Sequence, residues 1–311
     1  MKILITGGAG FIGSHLTERL LGDGFDVIGI DCFTDYYPRE YKDKNIKNVL
    51  GYDRFTLIEQ DILSMDAFPD VDYVFHQAAQ AGVRKSWGRD FEIYTRDNIL
   101  ATQRLLEYYK DCEIKKFVYA SSSSVYGDSE LPMKETRMLK PLSPYGVTKL
   151  AAENLCYLYY KNYGVPTASL RYFTVYGPRQ RPDMAIHLFV RAILEGIEIS
   201  VYGDGEQTRD FTFVDDIVEA NVLAAMSGLQ GEVFNVGGGT RISVNELLEI
   251  MEKVTGRRAV VKYIEKQKGD VKDTLADAGK IGKLGWKPRV GIEEGVRRFV
   301  EWYEELVVNQ R

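Results

Sequence analysis

The chain has 311 residues, 45% hydrophobic and 27% charged, with a net charge of −5. That suffices for a large core in one large domain or two closely joined ones, and argues against nucleic acid or an anionic membrane as the main partner. No apolar run approaches the roughly 20 residues of a bilayer span, residues 1–6 lead straight into a strand without a cleavable leader, and Cys32, Cys112 and Cys156 lie far apart with no Cys-x-x-Cys, so a cytoplasmic protein with free thiols is expected.

In chain order, residues 2–6 predict a short apolar strand and 11–21 an apolar-periodic helix. Strands follow over 26–30, 54–59 and 73–76, then a long helix over 91–109 and a strand over 116–120. Residues 144–163 predict a helix with Pro144 in its first turn, where the missing N–H costs nothing. A strand over 167–172 closes this half. Strands alternating with helices predict a parallel sheet covered on both faces. After Gly177-Pro178 the pattern changes. Helices are expected over 185–195 and 214–225, and a short strand over 199–201. A strand over 232–236 is a candidate to rejoin the main sheet. Amphipathic helices are expected over 244–254 and 292–306. The expected fold is α/β: a Rossmann-type doubly wound parallel sheet over residues 1–177, with returning segments near 211–239. A smaller, partly interleaved C-terminal lobe occupies 178–311.

Residues 1–13 read MKILITGGAGFIG, which fits both Gly7-x-x-Gly10-x-x-Gly13 and Gly8-x-Gly10-x-x-Gly13. Glycines here permit a tight turn and close approach of the backbone to a pyrophosphate, which then faces the free N–H groups of a helix N-terminus. Asp31 ends the second strand, eighteen residues after Gly13. An acid there accepts hydrogen bonds from ribose hydroxyls and repels a 2′-phosphate, favouring NAD over NADP. Asp61-Ile62 follows the third strand and could meet the adenine edge, although an ordinary turn would read the same way. His15, His76 and His187 share no metal-ligand spacing, so no metal is expected.

Tyr145 and Lys149 form a Tyr-x-x-x-Lys pair, one helical turn apart on one face. A phenol has a reference pKa of about 10, and an ammonium one turn away favours the phenolate. Such a tyrosine can take a proton from a sugar hydroxyl while a nearby nicotinamide takes the hydride.

With these segments in order, the whole chain resembles the extended short-chain dehydrogenases/reductases, and within them the nucleotide-sugar 4-epimerases. Further support comes from residues 75–79 (FHQAA), 119–127 (YASSSSVYG), 171–178 (RYFTVYGP) and 203–211 (GDGEQTRDF). The resemblance implies that Gly7, Gly10, Phe11, Ile12, Gly13, Asp31, Asp61 and Ile62 hold the adenosine and pyrophosphate of a tightly bound NAD. Gln77, Ala78 and Ala79 would line the cofactor path. Tyr145 and Lys149 would contact the nicotinamide ribose, with Asn98 and Tyr172 in support. A helix-surface amide is the competing reading of Asn98.

The resemblance also implies that Ser122 shares the substrate 4-OH hydrogen bond with Tyr145. Relatives that dehydrate or decarboxylate the sugar carry acids in this segment, whereas Ser123 and Ser124 stand here, which favours simple epimerisation. The expected cycle oxidises C4, turns the 4-keto sugar over and returns the hydride to its other face. Residues 80–84 (QAGVR) and 172–185 (YFTVYGPRQRPDMA) most resemble UDP-glucuronate 4-epimerases, which produce UDP-galacturonate. Arg181 is expected to position the C6 carboxylate, with Thr174, Ser123 and Ser124 as neutral donors and Arg84 as a further candidate. An arginine that only packs the lobe is the alternative for Arg181. C4 oxidation makes a β-keto acid that loses CO2 when the C5–carboxylate bond aligns with the carbonyl. The site must hold that bond aside without blocking rotation. Arg209 and Asp270 resemble nucleotide-binding positions. Gln267 stands where many relatives have arginine, leaving Lys268 or Lys272 to compensate; Gly237-Gly238-Gly239 reads as a plain turn.

Three other readings remain open on the sequence: a UDP-glucose or UDP-N-acetylglucosamine 4-epimerase, a UDP-glucuronate decarboxylase, and a non-catalytic NAD-binding sensor. Relatives pair through the helices expected here over 91–109 and 144–163. A homodimer with a four-helix interface follows, with Tyr157, Leu158 and Tyr160 as candidate contacts. Packing within one chain would give the same pattern.

Overall fold

The computed structural model of the protein describes residues 1–266 and 269–308. Gln267 and Lys268, weighed above for the diphosphate, lie outside the described residues. Twelve strands are present among those residues. They are β1 (Lys2–Thr6), β2 (Asp26–Asp31), β3 (Phe55–Glu59), β4 (Tyr73–His76), β5 (Lys116–Ser122) and β6 (Thr167–Tyr172), followed by β7 (Thr174–Tyr176), β8 (Glu198–Tyr202), β9 (Thr208–Phe213), β10 (Glu232–Val236), β11 (Arg241–Ser243) and β12 (Val260–Ile264).

Seven strands form one sheet in the order β10-β6-β5-β4-β1-β2-β3, and every neighbouring pair is parallel. A parallel sheet is covered on both faces, so its strands read as nearly unbroken apolar runs. Strand β1 shows how two cores arise from one strand. Successive side chains point to opposite faces: Ile3 and Ile5 join one buried cluster with Leu16 and Leu20, and Leu4 joins the other with Val74, Leu105 and Phe117. Strand order reverses at β1, with β2 on one side and β4 on the other. In open α/β sheets a crevice forms beyond the carboxyl ends of the strands at such a point.

The late strand β10 pairs with β6 at the sheet edge. The remaining strands build two small sheets, β11-β9-β7 and β12-β8. Strand β9 runs antiparallel to β11 and parallel to β7. The turn at 237–239 is pinned from β9: Asp210 Oδ1 accepts from Gly239 N at 3.0 Å and Thr212 Oγ1 from Gly238 N at 3.0 Å.

The helix Pro144–Tyr163 begins and ends where its sequence dictates. Ser143 Oγ accepts from Gly146 N at 3.1 Å, Pro144 sits in the first turn, and Gly164 closes the helix in the left-handed region at φ 76°. The segment 91–109, expected as one α-helix, is interrupted. An α-turn over Phe91–Tyr94 gives way to a π-helical turn over Thr95–Leu100 before the α-helix Ala101–Tyr109. Among the described residues, no helix is long and apolar enough to cross a membrane.

Candidate active site

An open cleft lies at the carboxyl ends of β1, β2, β4, β5 and β6, enclosing about 1240 Å³ including its mouth. Its floor is the glycine turn between β1 and the helix Phe11–Gly22. Gly7 has φ +68°, and a Cβ there would stand 2.9 Å from the Ala78 backbone. At Gly13 a Cβ would stand 2.1 Å from Gly7 O. The helix starts at Gly10 without a side-chain cap and with no acidic residue in its first turn. This leaves its first N–H groups for an external acceptor. Those features fit a dinucleotide pyrophosphate. Gly10, Phe11 and Ile12 line the same floor.

Asp31 ends β2 facing the cleft, but it is not a free acid. Its Oδ1 accepts from Phe33 N at 2.8 Å and from Lys42 Nζ at 3.0 Å, and its Oδ2 accepts from Ala9 N at 3.2 Å. The Lys42 and Asp31 side chains are only 8% and 5% exposed, so the pair is a fixed part of the wall. No sequence motif announced Lys42, which comes from the helix Arg39–Ile46. Asp61 and Ile62 also line the cleft. Asp61 additionally caps a short turn, accepting from Leu63 N at 2.9 Å, and pairs with Arg96.

On the far side of the switch point, Gln77, Ala78 and Ala79 line the cleft with Tyr172. Tyr172 Oη donates toward Asn221 Oδ1 at 2.9 Å, with Gln77 Oε1 at 3.2 Å. Asn98 is buried in the π-helical turn. Its Oδ1 accepts from Gln80 N at 2.8 Å, and its Nδ2 donates to Gln80 O at 3.0 Å and to Thr148 Oγ1 at 2.9 Å. This amide therefore ties the cleft-lining loop to the Tyr145 helix; it is not a helix-surface group.

Tyr145 and Lys149 both line the cleft. Their helix is tied to the sheet by a buried ion pair. Arg171 on β6 donates to Glu153 Oε2 at 3.0 Å, and the same oxygen accepts from Ser121 Oγ at 2.6 Å. Ser122 is buried at the end of β5, where its Oγ accepts from Ser124 N at 3.1 Å. Burial pushes the Tyr145 phenol above the usual range, while the Ser122 hydroxyl and the Arg181 charge pull the other way. Burial draws the Lys149 ammonium down to about 7, against smaller opposing effects of Cys156 and Glu153. Lys149 Nζ lies 4.5 Å from the centroid of the Tyr119 ring. Burial is thus the largest influence on the phenol, and Ser122 and Arg181 oppose it, whereas the expectation looked to the Lys149 ammonium one turn away.

A second, smaller cavity is lined by Ser123, Ser124, Thr174, Arg209 and Asp270, among others. Ser121 lines the large cleft and Ser123 the small one, so the two meet at the end of β5. Arg181 lines the large cleft and is absent from the small cavity's wall. Thus Arg181 stands with Tyr145, and the neutral donors stand with Arg209. Arg84 and Asp270 meet each other, with Arg84 Nη2 donating to Asp270 Oδ2 at 2.7 Å. The Arg84 guanidinium also lies 4.2 Å from the Tyr202 ring centroid. Arg209 Nη1 donates to Thr208 O at 2.8 Å and Lys272 O at 3.0 Å. Besides Lys42, sequence reasoning missed Tyr36, which lines the cleft, and Asp183, which holds Arg181.

Residues 3–237 match the NAD dependent epimerase/dehydratase family. A Bacillus subtilis (strain 168) protein named "Uncharacterized UDP-glucose epimerase YtcB" is 44% identical over 98% of this chain and 99% of its own. A UDP-glucuronate 4-epimerase of Thermodesulfobacterium geofontis (strain OPF15) is 41% identical over 98% and 96%. A crystal structure of UDP-glucuronic acid 4-epimerase from Bacillus cereus, in complex with UDP-glucuronic acid and NAD, superposes with a TM-score of 0.96 at 43% identity. It covers 98% of this chain and 100% of that one.

Proposed function

The chain belongs to the NAD dependent epimerase/dehydratase family, and on that premise we propose that it is an isomerase that interconverts UDP-glucuronate and UDP-galacturonate at C4. The observation that carries the reading is that Tyr145, Lys149 and Arg181 together line a glycine-floored cleft, with Ser122 and Arg181 both opposing the effect of burial on the phenol. NAD held by the glycine turn, the Asp31–Lys42 wall and the 77–79 strip would supply the hydride acceptor and donor. Tyr145 takes the proton of the substrate 4-OH and later returns it. Ser122 shares that hydrogen bond and keeps the hydroxyl aimed at the phenol. Lys149 lies one turn along the same helix and addresses the ribose of the cofactor. Arg181 holds the C6 carboxylate, with Ser123, Ser124 and Thr174 as neutral donors. Arg209, with Asp270 and Arg84, takes the nucleotide. Ser123 and Ser124 carry no carboxyl group, so these two positions offer no acid or base for proton transfer at C5.

The division of labour follows the chain: residues 1–177 with the returning segments near 211–239 hold the cofactor, and 178–311 mainly hold the nucleotide sugar. We further propose a cytoplasmic homodimer. Support comes from the three free cysteines and from exposed Leu100, Val147, Tyr157 and Leu158 on the paired helical segments. Tyr160 is better explained within its own chain, where its ring packs against Gly231.

A second reading, epimerisation of UDP-glucose, is favoured by the name of the Bacillus subtilis relative. Incubating the purified protein with UDP-glucuronate, UDP-glucose or UDP-N-acetylglucosamine, without added NAD, tests both. The UDP-glucuronate epimer should form without CO2, and Tyr145→Phe should lower its rate by about a hundredfold to ten-thousandfold, the weight of a positioned acid–base group. Full activity of that variant, or CO2 as the product, would overturn the assignment.

A further inference from the structure

Arg181 does not enter the cleft as an unattached cation. Its Nε donates to Asp183 Oδ1 at 2.9 Å and its Nη2 donates to Asp183 Oδ2 at 3.1 Å, the fork-to-fork geometry of an arginine–carboxylate pair. Tyr36 Oη donates to the same Oδ2 at 3.2 Å. The Arg181 guanidinium lies 5.6 Å from the Tyr36 ring centroid, and Lys85 Nζ lies 4.7 Å from it on its own account. Tyr36 is held in turn by the loop that follows β4: a Cβ on Gly82 would stand 2.5 Å from its hydroxyl. The arginine proposed to meet the substrate carboxylate is therefore already engaged along one edge by a carboxylate of its own chain.

A guanidinium carries five N–H donors. Asp183 takes one from Nε and one from Nη2, and its charge opposes that of the arginine. What remains for a substrate is the far end of the fork, carrying a cation already shared. A site of this reaction class faces two demands on that cation. It must hold the carboxylate away from alignment with the C4 carbonyl, and it must let the 4-keto sugar turn over. A fully available fork would meet the first demand at the expense of the second.

We infer that Asp183 is a positioning residue that tempers the grip of Arg181 on the sugar carboxylate, so that the carboxylate is oriented but the oxidised sugar can still rotate. The inference rests on the assignment of UDP-glucuronate as substrate. Removing the competing charge gives Arg181 wholly to the substrate. Binding then strengthens in the ground state, and rotation, which must loosen the contact, slows. A sugar with a neutral C6 hydroxymethyl group has no charge to be gripped and should not respond in this way.

The experiment measures KM and kcat for UDP-glucuronate and UDP-glucose with the wild type, Asp183→Asn, Asp183→Ser and Asp183→Glu, each with its own NAD. For UDP-glucuronate, Asp183→Asn and Asp183→Ser should lower KM and kcat together, each by about tenfold, the weight of one charge-assisted hydrogen bond. Asp183→Glu should restore both constants toward wild type, and the KM for UDP-glucose should move little throughout. Parallel loss of kcat on both sugars, a raised KM for UDP-glucuronate, or no change would overturn the inference. So would failure of both neutral variants to fold, since Asp183 would then be structural. A wild type that turns over UDP-glucose but not UDP-glucuronate would instead remove the substrate assignment, and this inference with it.

Discussion

At the scale of single residues, the site is governed by desolvation. A buried ammonium and a half-buried phenol share one helix turn, and each loses solvent that would stabilise its charged form. Lys149 falls from its ordinary 10.5 to about 7. Between those values the unfolded chain keeps the proton that the folded chain has lost. Stability therefore rises with pH across that window, and the cost of the buried ammonium is fully felt below about pH 7. Lys149→Met removes this contribution. Thermal melts from pH 6 to 9 on wild type and variant, both freed of NAD, should show a shallower rise for Lys149→Met; identical slopes would contradict the burial argument. The spacing of Tyr145 and Lys149 was legible in the sequence because it is local. Ser122 beside Tyr145 was legible only through the family resemblance, and the influence of Arg181 on the phenol was not legible, because Arg181 reaches it through the fold. Lys42 was equally hidden. A lysine between Tyr41 and Asp43 reads as a surface charge until β2 brings Asp31 against it.

At the scale of elements, the π-helical turn at Thr95–Leu100 is what a reading by helical period could not supply. The extra residue in that turn rotates the following side chains relative to an unbroken helix, and Asn98 is buried there. Its three hydrogen bonds join the loop after β4 to the Tyr145 helix. Asn98→Ala leaves the Gln80 N–H and C=O without these partners and should cost at least about 1–3 kcal/mol. Denaturant unfolding checks the loss, and the absorbance ratio of the purified protein checks an accompanying fall in retained NAD. Unaltered stability and NAD content would show the amide to be dispensable. The seven strands of the large sheet were readable from apolar runs flanked by glycines and turns. Strands β7 and β11 have three residues each, too few to show a period, and β9 mixes Thr, Arg and Asp with its aromatics.

At the scale of the whole molecule, the exposed apolar side chains on the helical segments at 91–109 and Pro144–Tyr163 call for a cover. Val147 and Leu158 are eleven residues apart, about three helical turns, and so share a face. Each is close to half exposed, as are Tyr157 and Leu100. Exposed apolar side chains gathered on neighbouring helices are the surface that the proposed dimer would cover. The double substitution Leu100→Glu with Leu158→Glu should convert the proposed dimer to a monomer, measured by light scattering behind a sizing column. A wild-type protein that is already monomeric at micromolar concentration would remove the dimer from the account. The sequence pointed to these helices but could not separate intrachain from interchain packing. Tyr160 shows why, since only the fold reveals Gly231 beneath its ring.

The pairing of β10 with β6 has a consequence for how the protein is made. A nascent chain that has emerged from the ribosome only as far as Gly177 already holds six of the seven parallel strands, yet β6 still ends the sheet with an unguarded hydrogen-bonding edge. That edge is sealed only after β8 and β9 have been translated and Val236 has followed. The first half of this chain therefore cannot be completed before most of the second half exists.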